Sequence, residues 1–492
     1  MSEYALPKLI TVQSLRLPGE LCFQAGFERS LGLILTSGGF MKKSRLISFC
    51  ISVLLIFNFT ACSSNESGKS TDNNKSQKGL TILNGKNHSI SLAINEFNSL
   101  HPDMPIEQKL YDELDMTEED EKTVTELMAG KGPDVLILRA ANFTSLHKML
   151  YNRTFLNLDD LIKNDRSFNL NEFNQNILKC GVHDEKRYLI PLYYALPVII
   201  TTKSFLSAHK LNISESGATM SDLSELAARF LKDNRNQKNY LFSEDFNFNY
   251  LFYFNSMKYI DYTKRKSSFD SMEFISTLNN FKDIQSAVWP GKASQAIEVA
   301  GLLKNGTYGI IQFCTGISTI EAMDSHINQD MGEDMRLIPI LDDENKMLLP
   351  AEVKFVAGIN ANSSNKKAAF EFLKVLLQKE SQTLYFNEPN TRYITGLPVN
   401  IRAMKEELEH YMGDEVIPIP GETNNGLEYK SLNQALKERT EKINGSTTRG
   451  QIIDYKVLSI IRQETKGFFD DKITAEQAAK AVNQKVMLYL NE

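Results

Sequence analysis

Between Gly79 and Leu138 the apolar residues change their spacing four times, and this constrains the fold more than any other feature of the chain. Leu80 to Leu83 (LTIL) is a short apolar run, followed by the turn-forming residues Asn84-Gly85-Lys86-Asn87. In SISLAINEFNSLHP, Ile90, Ile94 and Phe97 recur at helical spacing until Pro102 stops the pattern. MPIEQKLY reads as a second strand. The acidic run from Asp112 to Glu121 then leads into a helix that ends at Gly130, and Pro133 to Leu138 (PDVLIL) has the continuous apolarity of a buried strand. Strand, helix, strand, helix, strand is an α/β arrangement with a largely parallel sheet, because parallel neighbours need a crossover. The acidic run lacks the Asp-x-Asp-x-Asp-Gly spacing of a calcium loop and reads as solvated helix start or loop.

Later segments extend the pattern. KRYLIPLYYALPVIITTK is strand-like but carries Pro191 and Pro197, which cannot donate to a ladder, so an edge or crossing strand is expected. SDLSELAARFLKD places Leu223, Leu226, Ala227 and Phe230 on one helical face, and NKKAAFEFLKVLLQKE does the same with Ala369, Phe372, Leu373 and Leu376. Thr474-Ala475-Glu476-Gln477 is a capping box ahead of a last helix with Ala479, Val482, Val486 and Leu490 on one stripe. The aromatic-rich residues 245–255 read as core.

Ahead of this sits a second kind of signal. Met41 is followed by Lys42, Lys43 and Arg45, then an apolar run from Leu46 to Phe59 that ends at Thr60-Ala61-Cys62. A basic start, a short apolar stretch and a small-residue end are the layout of a secretory signal; the run falls short of the length a spanning helix needs, and an N-terminal membrane anchor that is never cut is the competing reading. Residues 1–40 fit no export signal and are read as a non-native N-terminal extension, with Met41 as the start. Residues 41–61 are then the signal peptide. Residues 62–78 contain SSNESGKSTDNNKSQK, a polar flexible tether. SSNESGKS half-resembles a phosphate loop, but Ser63 replaces the first glycine and no strand precedes it.

Charge and composition exclude several classes. The whole chain carries −6; residues 1–61 hold six Lys or Arg and three Asp or Glu, so residues 62–492 carry −9, with no basic patch for nucleic acid. Of five cysteines only Cys62, Cys180 and Cys314 lie beyond the signal, which is neither a disulfide framework nor a metal-spaced set. No His-Glu-x-x-His, Gly-x-Ser-x-Gly or paired Cys-x-x-Cys is present, and the seven histidines have no ligand spacing. No enzyme activity, cofactor or metal is therefore expected. Carboxylates are plentiful, but nothing in the sequence singles out a glycosidase-like pair.

The order AGKGPDVLIL, EKRYLIPLYYALPVIITTK, SDLSEL, LLKNGTYGIIQF, VAGINANSSNKKAAFEFLKVLLQKESQ, GLPVN and ITAEQAAKAVNQKVMLYL resembles the extracellular solute-binding proteins of ABC importers, the family that includes maltose-binding protein. The resemblance covers residues 79 to 492. Phe-Thr-Ala-Cys likewise resembles the lipobox of bacterial lipoproteins, which implies that Cys62 is lipidated with palmitate-type acyl chains. The family implies an α/β, two-lobe periplasmic-binding-protein-like fold with a hinge and an interlobe ligand cleft. Mapped onto this chain, 79–195 and 358–398 form the N-lobe and 196–357 and 399–492 the C-lobe. Cys180 and Cys314 would then lie in different lobes, as free and mostly buried thiols.

Ligands of such sheets bind outside the carboxyl ends of parallel strands. The candidate ligand residues are accordingly Lys86 and Asn87 after the first strand, with Asn84 beside them, and Arg139 and Asn142 after the third, with Phe143. Tyr193 and Tyr194 stand at the first crossing. Phe313 follows Ile310-Ile311-Gln312, with Cys314 and Thr315 next. Glu352 precedes the second crossing, and Trp289 is the single tryptophan, with Pro290-Gly291 after it. Trp289 is equally readable as a stacking platform or as core, and Arg139 as a ligand group or a structural ion-pair partner. The expected function is a lipid-anchored, monomeric receptor on the outer face of the bacterial cell membrane. It would capture a sugar or oligosaccharide and pass it to permease subunits. A surface enzyme acting on glycans, and a sensor or adhesion protein that kept the fold, are the alternatives.

Overall fold

Three parallel strands open the fold. β1 (Leu80–Gly85) lies between β2 (Ile106–Tyr111) and β3 (Val135–Arg139), and the helices Ser91–Leu100 and Thr117–Met128 make the crossovers. β1 runs past Leu83 into the residues expected to turn, because Asn84 and Gly85 continue the ladder opposite Leu110 and Tyr111. In the first helix Ile90 and Phe97 are buried and Ile94 half-buried, as the spacing predicts. This computed structural model describes residues 79–86, 90–111, 117–141, 143–234, 239–244, 246, 256–292, 296–315, 335–343, 350–383, 396–410 and 434–491. The signal, Cys62 and the tether fall outside them, as does the start of the acidic run.

Asp134 locks the start of β3 to β1. Its carboxylate accepts from the Thr81 N–H at 2.9 Å and the Thr81 hydroxyl at 2.8 Å, from Ser363 at 2.6 Å and from Asn365 at 3.3 Å. Burial pushes this carboxyl up, but the hydrogen bonds from Ser363, Thr81 and Asn365 outweigh it and hold it below the ordinary value.

Ile190–Thr202 is a strand of 13 residues, all buried. Its first half, Ile190 to Ala195, pairs antiparallel with the return strand Pro350–Ile359, and Tyr193 and Tyr194 also pair with Leu397–Pro398. Its second half pairs antiparallel with Tyr308–Thr315 and Met335–Pro339. The strand therefore exchanges its neighbours at Ala195 and Leu196. It is a crossing strand, central in the sheet rather than at an edge. The prolines are tolerated because each stands next to the end of a ladder: Pro191 opposite Val356, one pair from the last, and Pro197 opposite Cys314, one pair from the last.

The return strand is irregular at the same place. Its register against the crossing strand shifts on either side of Phe355. Ala351 and Val353 pack with Leu138 and Leu196, whereas Phe355, Ala357 and Ile359 pack with Leu80 and Val135 on the other face. A bulge adds local twist and redirects side chains, which fits a strand leaving one body for another.

Among the described residues, three apolar clusters result from this path. One lies under Ser91–Leu100 and Lys366–Leu376 and joins Ile82, Phe97, Phe372 and Leu373. A second is formed by Met220–Asp233, Met272–Gln285, Tyr455–Phe469 and Ala475–Asn491, with Phe230, Phe281, Ile461 and Val482 inside. The third occupies the opposite sheet face and continues through the hand-over, from Leu136 and Leu138 through Tyr194 and Leu196 to Tyr308. Each fully buried leucine or phenylalanine contributes about 1.5–3 kcal/mol. The Thr219–Asp222 pair forms a reciprocal capping box, and the expected Thr474–Gln477 box is present with both hydrogen bonds. Of the aromatic residues 245–255, Phe246 is described, and it is fully buried.

Candidate ligand-binding site

Tyr111, at the end of β2, fixes where β1 and β3 finish. Its carbonyl accepts the Lys86 N–H at 3.0 Å. Its hydroxyl accepts the Arg139 N–H at 3.0 Å and donates to the Ile137 carbonyl at 3.4 Å. The ring is wedged edge-on against Phe143 at 5.3 Å. One buried tyrosine thus brings Lys86 and Arg139 to the same carboxyl edge of the parallel strands.

The return strand adds charge to that edge. Phe355 pairs with Arg139, and the Ala140 N–H donates to the Lys354 carbonyl at 2.8 Å. Lys354 Nζ lies 2.9 Å from Glu352 Oε2, with side chains only 11% and 2% exposed. The Tyr455 hydroxyl donates to Glu352 Oε1 at 2.8 Å. A buried ion pair of this kind is costly to break on one side, since it strands the partner charge. Glu352 is thereby held by a cation, a phenol and the ladder to Gln451 on Arg449–Gln451.

The other candidates fall elsewhere. Tyr193 and Tyr194 lie at the hand-over, but both are buried and both hydroxyls are engaged within the protein. Tyr194 donates to Asn444 Oδ1 at 2.5 Å and accepts from Asn174 Nδ2 at 3.4 Å. Tyr193 donates to the Gln382 carbonyl at 3.5 Å, and its ring meets Phe355 edge-on at 6.3 Å. Burial pushes both phenols well above their ordinary range. Trp289 is half-buried; its ring lies 5.6 Å from that of Tyr308, and its backbone N–H donates to the Phe242 carbonyl at 2.9 Å. The ring also covers Gly291, where an added Cβ would come within 2.1 Å of it.

Phe313 pairs through its backbone with Val198, Cys314 with Pro197 and Thr315 with Leu196; their side chains lie outside the described residues, as do Asn87 and Asn142. Cys180 is a free thiol packed against the core, and burial pushes it up to about 12. Among the described residues no group of His, Cys, Asp and Glu is placed to hold a metal, and no helix is long and apolar enough to cross a membrane.

Three participants were not singled out from the sequence: Tyr111, Lys354 and Tyr455. Lys354 had a signal, since Glu352 and Lys354 stand two apart in the otherwise apolar PAEVKFVAGI and so share a strand face. Tyr111 and Tyr455 had none, because their partners are remote in sequence.

A parallel-strand edge carrying fixed polar groups, beside a strand that passes between two sheet halves, is the arrangement expected of a two-lobe α/β binding protein, whose ligands lie outside the carboxyl ends of parallel strands. Residues 93–401 match the family of bacterial extracellular solute-binding proteins, and the chain belongs to that family. Solved structures agree on the fold. The sugar-binding protein MalE from Xanthomonas citri is 14% identical, with a TM-score of 0.61 over 84% of this chain and 98% of that one. The cyclic alpha-maltosyl-1,6-maltose binding protein from Arthrobacter globiformis is 15% identical, with a TM-score of 0.55 over 84% and 98%. An ABC substrate-binding protein from Listeria monocytogenes in complex with cycloalternan is 14% identical, with a TM-score of 0.54 over 84% and 99%. No curated protein sequence matches the chain.

Proposed function

We propose that the chain is the lipid-anchored substrate-binding component of an ABC transporter. It captures a sugar or oligosaccharide outside the cell and delivers it to a membrane permease. The observation that carries this reading is the hand-over at Ala195 and Leu196, with the charged groups of Arg139, Glu352 and Lys354 gathered on the strands beside it. Residues 79–195 and 358–398 then form one lobe and 196–357 and 399–492 the other, and ligand favours the closed form by touching both. Lys86 and Arg139 are the proposed ligand groups of the first lobe, and Glu352, buried and paired with Lys354 and Tyr455, braces the hinge beside them. Family membership and the sugars named for similarly folded proteins support the ligand class. Cys62 carries the anchor, and residues 62–78 are the tether that lets the lobes reach the permease.

The test is thermal unfolding of the full-length chain in detergent against a panel of sugars, amino compounds and anions. A ligand at a hundred times its dissociation constant adds about 2.7 kcal/mol to stability. Stabilisation by a sugar supports the reading; stabilisation only by non-sugars removes the carbohydrate assignment. Anchoring is tested separately by metabolic labelling with palmitate, where Cys62→Ser should abolish label and release the protein from membranes.

A further inference from the structure

Four half-buried arginines can be compared among the described residues. Arg187 donates to the Leu178 carbonyl at 2.6 Å, Arg336 pairs with Glu215, and Arg439 donates through Nε to the Leu337 carbonyl at 3.0 Å. Arg139 is half-buried like them, yet its guanidinium has no hydrogen-bond or ion-pair partner among the described residues. The carboxylate on the neighbouring strand is committed elsewhere: Glu352 is held by Lys354 and Tyr455. Arg139 cannot shed its proton, and its planar fork of donors matches a carboxylate or sulfate two bonds at a time.

We propose that Arg139 receives an acidic group of the ligand, and that the solute is an anionic saccharide bearing a carboxylate or sulfate. This deepens the sugar-binding reading above and rests on it. Among the described residues at this edge, Glu352 is paired with Lys354, and Lys86 stands beside Arg139 on the strand ends that Tyr111 ties together. The lone tryptophan agrees. Trp289 packs on Tyr308 and over Gly291, so the described residues offer charge at the strand edge more clearly than they offer an indole platform for a neutral ring. The backbone N–H of Arg139 is already tied to Tyr111, which holds the base of the side chain in place while leaving its head for the ligand.

The experiment is binding of the fluorescently labelled full-length chain, in detergent, to an array of neutral, uronate-bearing and sulfated oligosaccharides, with Arg139→Gln and Arg139→Lys in parallel. The wild type should bind acidic members in preference to their neutral counterparts. Arg139→Gln should lose about ten- to a hundredfold in affinity, as expected for a charge-assisted pair, and Arg139→Lys should lose less. Should Arg139→Gln lack a cooperative unfolding transition, Arg139→Lys alone decides, with weakened acidic binding expected. Binding of neutral members only overturns the acidic assignment while leaving a sugar-binding protein. Acidic binding that neither variant weakens overturns the role of Arg139. Binding to no saccharide overturns this proposal and the sugar-binding reading together.

Discussion

Tyr194 and Arg139 stand near the same hand-over and carry polar heads of similar reach, but they are treated in opposite ways. The Tyr193–Tyr194 region is closed on itself. Tyr194 is shared between Asn444 and Asn174, and Tyr193 reaches Gln382, whose side-chain amide bonds the Leu192 carbonyl and the Asn400 N–H. The Arg139 region is closed only up to its backbone, and its guanidinium is left over among the described residues. A polar group that the protein satisfies belongs to its architecture. One that it positions at a strand end and leaves open to solvent, without a protein partner, is available for a ligand.

The contrast can be broken by substitution on each side. The largest effect is expected at Asn400, whose Oδ1 caps the helix Ile401–His410 by accepting from the Arg402 and Ala403 N–H groups and whose Nδ2 donates to the Leu377 carbonyl at 2.9 Å. Asn400→Ala should cost about 2–4 kcal/mol, from a lost cap plus buried groups left unpaired, read as a fall in denaturant midpoint. Tyr194→Phe should cost about 1–2 kcal/mol by the same measurement, since Asn444 loses its donor.

A smaller effect is expected from pH. The Asp134 carboxyl is held below its ordinary value, so its native hydrogen bonds stabilise the fold above the unfolded value of about 3.9. That stability is lost as pH falls through the lower native value. Acid unfolding followed by circular dichroism should therefore steepen below about pH 4, and Asp134→Asn should flatten the dependence there. If the variant's profile overlays the wild type, the Thr81, Ser363 and Asn365 bonds do not carry the linkage. The smallest effect is expected at Arg139: Arg139→Gln should change the stability of the ligand-free chain by less than about 0.5 kcal/mol, because no side-chain partner is lost.

Much of this contrast was legible in the sequence, though not at every residue. Spacing alone located β1 to β3 and the helices around Phe97, Phe230, Phe372 and Val482, because each has one face to bury. It also put Lys86 and Arg139 at strand ends, where position depends on where the apolar runs stop. Prolines 191 and 197 marked the crossing strand, but its central place in the sheet depends on neighbours that change halfway along, which local pattern does not encode. Tyr193 and Tyr194 looked like ligand residues by position. Whether they face core or cleft depends on the bulge beside Phe355 and on Asn444, 250 residues further on. The partners of Glu352 were likewise hidden: Tyr455 is 103 residues away.

The most direct measurement is the melting temperature of the full-length chain and of Arg139→Gln, each with and without the saccharide that binds the wild type best. The two ligand-free values should agree within about 2 °C, and the ligand should raise the wild type by several degrees but the variant little. Equal ligand-induced shifts in both proteins, or a variant already destabilised without ligand, would contradict the view that the protein positions Arg139 for its solute.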